Sequence, residues 1–163
     1  MINYLERTKA YYGAQGYKPY QWAHFEQTPF TPLDKPLSQS RLALITTAAP
    51  YLPELGDQGP GAAYNAKAKF FDVLTHNVEP PPDLRISHIG YDRKHCAADD
   101  PQTWLPIPAL LQAVEDGLIG SFAHQVIGLP TNRSQRITTE QDAPKVLETL
   151  RTLGADVALL VPT

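Results

Sequence analysis

Apolar positions along this chain come in two spacings. Near the N-terminus Ile2, Leu5 and Tyr12 recur at helical intervals, with Glu6, Arg7 and Lys9 between them and Gly13 and Gly16 after them. That spacing predicts one short amphipathic helix ending at the glycines. A different run begins at Arg41, where Leu42, Ala43, Leu44, Ile45, Thr46 and Thr47 predict a strand over 41–47, followed by a turn-rich stretch from Pro50 to Gly61. A second strand is predicted over 84–88, after the breaker Pro80, Pro81, Pro82. Ala109, Leu110, Ala113 and Val114 mark a helix face, with Gly117 placed to end it in the left-handed conformation, and 119–123 predicts another short strand. The last unit is the clearest. Asp142 is placed to cap a helix with Pro144 in its first turn, Val146, Leu147, Leu150 and Leu153 line one face, and Gly154 closes it. Residues 157–161 then form a continuously apolar run, the pattern of a strand covered on both faces in a parallel sheet.

Helices alternating with short apolar strands predict an α/β fold, specifically a parallel-sheet three-layer sandwich. Residues 1–40 divide from the rest as the N-terminal helix and a Pro/aromatic-rich arm. In that arm Pro19, Pro29, Pro32 and Pro36 fix extended backbone, and Tyr20, Trp22, Phe25 and Phe30 are interleaved to lie against a body. Residues 41–163 form the α/β domain. In open α/β sheets, ligands gather beyond the carboxyl ends of strands, where the next loop and helix begin. Thr163 stands at such a place, so the domain is expected to be incomplete at its C-terminus, with Val157, Leu159, Leu160 and Val161 partly exposed.

Composition narrows the function classes. With 163 residues, 42% hydrophobic and 19% charged, the chain is an ordinary globular domain. A formal net charge of −3 with scattered basic residues gives no footprint for nucleic acid or for an anionic membrane. The first residues lack the basic and then apolar regions of a secretory signal, and no apolar run approaches a bilayer-spanning length, so a cytoplasmic location is expected. Cys96 is the sole cysteine, which excludes an internal disulfide framework and leaves redox chemistry in want of a second thiol. Without a secretory route, the sequon at Asn132, Arg133 and Ser134 carries no physical meaning.

The candidate chemistry is local. His88, Asp92, His95, Cys96 and Asp99 crowd one stretch, and each can bind a metal or carry a proton. They lack the paired spacing of a tetrahedral zinc site, so no metal is assigned, and Asp92 and Asp99 capping turns with His88 packed at a strand end explain them without one. His88 and Asp92 are the acid–base or site-lining candidates, because a carboxylate can fix a histidine tautomer at a strand end. Residues 56–61 include Gly56, Gly59 and Gly61 but lack the Gly-Lys-Ser/Thr ending of a phosphate loop and the dinucleotide fingerprint, so they read as a turn whose amides can at most hold an anion. No cofactor-binding residue is assigned.

Several blocks, taken in order, resemble one family. They are Pro29-Phe30-Thr31-Pro32-Leu33-Asp34-Lys35-Pro36-Leu37-Ser38, Arg41-Leu42-Ala43-Leu44-Ile45-Thr46-Thr47-Ala48, Asp83-Leu84-Arg85-Ile86-Ser87-His88-Ile89-Gly90-Tyr91-Asp92, Leu105-Pro106-Ile107, Glu115-Asp116-Gly117-Leu118-Ile119-Gly120 and Gly154-Ala155-Asp156-Val157-Ala158-Leu159-Leu160-Val161-Pro162. The resemblance is to the selenoprotein B family of glycine, sarcosine, betaine and D-proline reductases. It implies that the strand over 157–161 leads, within a residue or two, into a selenocysteine or cysteine followed by a second cysteine. Selenocysteine is encoded by UGA, which an ordinary reading takes as a stop, so the chain is expected to be the N-terminal part of a selenoprotein with its catalytic residue just after Thr163. Selenocysteine is then a cofactor of the full-length product rather than of this span. The resemblance further implies reductive cleavage of an amino-acid-type carbon–nitrogen bond, a pyruvoyl group on a partner subunit and a thioredoxin-type electron donor. Residues 56–65 and 129–134 depart from the amino-acid-cleaving members, which leaves the small-molecule substrate open. A non-catalytic binding or assembly domain on the same scaffold is the alternative.

Overall fold

A computed structural model describes residues 4–19, 23–55, 72–88, 91, 94–95, 100–130 and 134–163. The chain divides into two units, Met1–Thr31 and Pro32–Thr163. The first holds helix α1, Tyr4–Ala14, none of whose residues is buried. The ring of Tyr12 meets those of Tyr11 and Tyr17 edge-on at 5.7 and 6.0 Å. Phe25 and Phe30 are exposed rather than packed as expected, and Tyr20 and Trp22 lie outside the described residues.

The second unit is a mixed α/β fold built on strand β1, Arg41–Thr46. Leu42 and Leu44 enter one apolar cluster and Ala43 and Ile45 another, because side chains alternate across a strand; β1 is therefore buried on both faces. After it come β2, Pro50–Tyr51, β3, Leu74–Asn77, and β4, Arg85–Ile86. Helix α2, Ile107–Glu115, precedes β5, Ser121–Phe122, and β6, Gln125–Gly128. Helices α3, Gln135–Ile137, and α4, Ala143–Thr152, lead to β7, Val157–Val161. In the main sheet β1 pairs in parallel with β7 on one side and with β5 and then β6 on the other, while β3 runs antiparallel along β6.

Two strands escape the hydrophobic pattern. The β3 residues Leu74, Thr75, His76 and Asn77 are mostly polar, as suits an outer antiparallel strand, and β6 is too short to stand out from the β5 run. The strand predicted over 84–88 shrinks to Arg85–Ile86 and pairs antiparallel with β2 in a separate two-stranded sheet. The sheets are thus mixed rather than purely parallel.

Ile107 and Leu110 of α2 pack with Leu42, Leu44 and Val126, whereas Val146 of α4 and Leu153 pack with Ala43, Ile45 and Ile127. Asp142 does not cap the last helix as predicted. The helical path starts at Ser134, whose hydroxyl accepts from the Ile137 amide at 3.3 Å, and passes through a π-turn at Thr138–Asp142. Pro144 has no amide to donate and would crowd the carbonyl one turn back, and the wide turn just before it relieves that conflict. Of the predicted face, Leu153 and Val146 are buried but Leu147 is 47% exposed.

Helices α1, α2 and α4 end alike. Gly16, Gly117 and Gly154 have φ of 76°, 71° and 63°. In each case the residue after the glycine donates its amide back to the helix: Tyr17 to Tyr12, Leu118 to Ala113 and Ala155 to Leu150, at 3.1, 2.9 and 3.0 Å. This is the Schellman arrangement, which satisfies carbonyls that the helix end leaves open. Residues 32–40, expected to go with the arm, belong with the sheet. Ser40 is buried and its carbonyl accepts from the Ser121 amide at 3.1 Å.

Candidate functional site

Strand β1 ends in two threonines, and polar contacts gather around them. Thr46 is fully buried, and its hydroxyl accepts from the Ala48 amide at 3.2 Å. Its carbonyl accepts from the Leu129 amide at 2.9 Å, and the Thr47 amide donates to the Val161 carbonyl at 3.1 Å. The strand on each side of β1 is thereby held at the level where β1 leaves the sheet. The Thr163 amide donates to the Thr47 hydroxyl at 2.9 Å, and the two threonine hydroxyls lie 3.2 Å apart.

The turn that follows is tightly held. Ala49 has φ of 48°, the left-handed region that costs a residue with a Cβ about 1 kcal/mol or more. Its carbonyl accepts from both the amide and the hydroxyl of Ser87, at 3.3 and 2.9 Å. These bonds clasp the β1–β2 turn to the end of β4. Gly128, where β6 ends, has no room for a side chain, since a Cβ there would stand 2.5 Å from Cγ of Pro50.

At the carboxyl end of β1, Thr47 meets Thr163 and the Ala49–Ser87 clasp follows two residues on; His88, next in sequence to Ser87, is half-buried. His95 sits in an exposed turn. Asp92, Cys96, Asp99, the 56–61 turn and the sequon residues Asn132 and Arg133 lie outside the described residues. Among the described residues no group of three or more His, Cys, Asp or Glu could hold a metal, and no helix is long and apolar enough to cross a membrane. Chemically, the described residues at this edge offer hydroxyl groups that can orient a substrate, with His88 nearby in sequence as a proton carrier. Thr47, Ala49 and Ser87 were not singled out from sequence. Their only signal is position, directly after an apolar run and directly before His88.

Comparison with protein-family models, curated proteins and solved structures found no match to this chain.

Two titrating groups stand away from this edge. Asp156, before β7, accepts from the Arg41 amide and pairs with Lys35, both at 2.7 Å. The Arg41 amide first, and then Lys35, hold its carboxyl below the usual range. It is a latch at the amino end of β7, because the Asp156 amide also donates to the Arg41 carbonyl at 2.9 Å. His76 on β3 is half-buried, its Nε2 makes no hydrogen bond, and burial pushes its pKa down.

Near the start of β6 lies a cleft of about 490 Å³. Leu111 and Phe122 form its walls, and Asn77, Glu79 and His124 stand at its rim. None of these residues was a candidate from sequence, because the residues that line it come from three separate stretches.

Proposed function

We propose that this chain is a component of a selenium- or thiol-dependent reductase resembling the selenoprotein B subunit, with the redox-active residue following Thr163. The observation that carries this reading is the double tie between Thr163 and Thr47. It holds the end of β7 beside the carboxyl end of β1, which supports a reactive residue at that edge.

The blocks that carry the resemblance support the same reading, because they are far apart in sequence and meet in space. Residues 41–48 supply β1 and Thr47, residues 83–92 supply Ser87 and His88, and residues 154–162 supply the Gly154 cap and β7. Residues 115–120 supply the Gly117 cap and Gly120, whose α-carbon lies so near the backbone of Gln39 that a Cβ would fall 2.6 Å from its carbonyl carbon. In this reading the finer architecture is a three-layer parallel-sheet sandwich, with α2 and α4 covering opposite faces and β3 as an antiparallel edge.

A selenolate or thiolate at this edge would be held by whichever of the paired Thr47 and Thr163 hydroxyls does not donate to the other, with His88 as the candidate proton-carrying group and Asp92 its candidate partner from sequence. Such an anion would displace the amine from the substrate carbon; a neighbouring thiolate would then take the selenium or sulfur into a mixed bond while the carbon leaves with a proton, and two electrons from a thioredoxin-type donor would reopen that bond. The pyruvoyl-bearing partner subunit and a small amino-acid-type substrate come from the resemblance alone. Alkylation of the reduced product of the extended reading frame tests the reading. A selenocysteine or cysteine labelled within a residue or two of Thr163 is expected, and the absence of any such residue contradicts it.

A second reading, a non-catalytic assembly domain on this scaffold, is favoured by one observation. Leu159 and Leu160 of β7 are 38% and 53% exposed on opposite faces. A full-length product that binds its partner subunit yet shows no redox turnover would select this second reading.

A further inference from the structure

We propose that the cleft between the end of β3 and α2 binds a small molecule that joins a primary ammonium group to a compact apolar body. This site is separate from the carboxyl edge and does not depend on the reductase reading. Its volume of about 490 Å³ falls inside the range of roughly 300–1,000 Å³ typical of small-ligand sites.

The floor is apolar and fixed. Val78 and Ala123 are 4% and 1% exposed, and the half-buried Leu111 and Phe122 flank them, so an apolar group seated there removes their remaining surface from water. The walls are held by the β3–β6 ladder, by the Val78 amide donating to the His124 carbonyl at 2.9 Å, and by Gln125 Nε2 donating to Asn77 Oδ1 at 2.9 Å. A site held this way loses little freedom when a ligand enters.

The rim selects the sign of charge. Among the described residues that line the cleft Glu79 is a formal anion and none is Lys or Arg, so a cation is drawn in and an anion is repelled. A primary ammonium has three donors, and the Glu79 carboxylate, a ring nitrogen of His124 and the side-chain amide oxygen of Asn77 are acceptors of the matching kind. The Phe122 ring adds a surface that favours a cation over its face.

Titration of the 15N-labelled chain with benzylammonium tests the proposal, with benzyl alcohol as the uncharged control. Saturable amide shifts are expected at Val78, Phe122, Ala123 and His124, with benzyl alcohol weaker. Glu79→Gln, an exposed substitution that should leave the rest of the spectrum unchanged, should weaken benzylammonium by about fivefold, equivalent to roughly 1 kcal/mol. No saturable shift at those amides, equal affinity for benzyl alcohol, or undiminished affinity in the folded Glu79→Gln protein would each overturn it.

Discussion

His76 shows how a single residue couples this fold to pH. Burial holds the pKa of its imidazole below the ordinary value of about 6.5 at which it titrates in the unfolded chain. Below that value the unfolded state binds more protons than the folded one, so stability falls as pH drops from about 6.5 through the folded pKa. Urea unfolding at stepped pH should show that decline, and His76→Phe should flatten it; an unchanged slope would remove His76 from the account. Asp156 works in the acid range. Its lowered pKa means that its contribution is complete above the unfolded value of about 3.9 and is lost as pH falls through the folded one. Steric limits are sharper. Gly128→Ala would drive a Cβ into the ring of Pro50, and a cost of about 1–3 kcal/mol is expected in chemical denaturation. The clasp predicts that Ser87→Ala, which leaves one of two donors to the Ala49 carbonyl, costs about 1 kcal/mol. If the proposed reductase reading holds, His88→Gln in the full-length product should lower kcat by about a hundredfold and remove one limb of the pH profile; an effect under about twofold would make His88 a packing residue.

At the scale of elements, the parts legible in the sequence are those with a strong local signal. Residues 42–45 are apolar without interruption because β1 is sandwiched, and the glycines after α1, α2 and α4 stand where a left-handed residue is required. What the pattern hides is decided by partners. The polar β3 is a strand because β6 supplies its hydrogen bonds, and β4 turns away from the main sheet to pair with β2. The start of the α3–α4 path was misplaced at Asp142 because a Pro in the second position of α4 looks like a helix beginning, when a π-turn lets the helix run through it. Two changes test this description. Ser134→Ala removes the true cap and should cost about 1 kcal/mol, whereas Gly154→Ala, with nothing nearer than 3.7 Å to the added Cβ, should cost about 1 kcal/mol through its backbone alone.

For the whole molecule, the candidate site was legible in outline and not in its members. The expectation that function gathers at the carboxyl ends of the strands directs attention to the edge where β1 ends, but Thr47, Ala49 and Ser87 are joined only by the fold. The cleft beside β3 is invisible in sequence for the same reason, since Glu79, Leu111 and His124 share no local pattern. Electrostatics and packing alone would fit many activities at such an edge. The central claim is narrower: the chemistry is carried by a selenocysteine or cysteine that follows β7. The most direct test is the nucleotide sequence of the gene at and beyond the Thr163 codon. A UGA codon, or a cysteine codon, followed in frame by a second cysteine is the predicted result; UAA, UAG, or UGA with no cysteine codon after it would contradict the account.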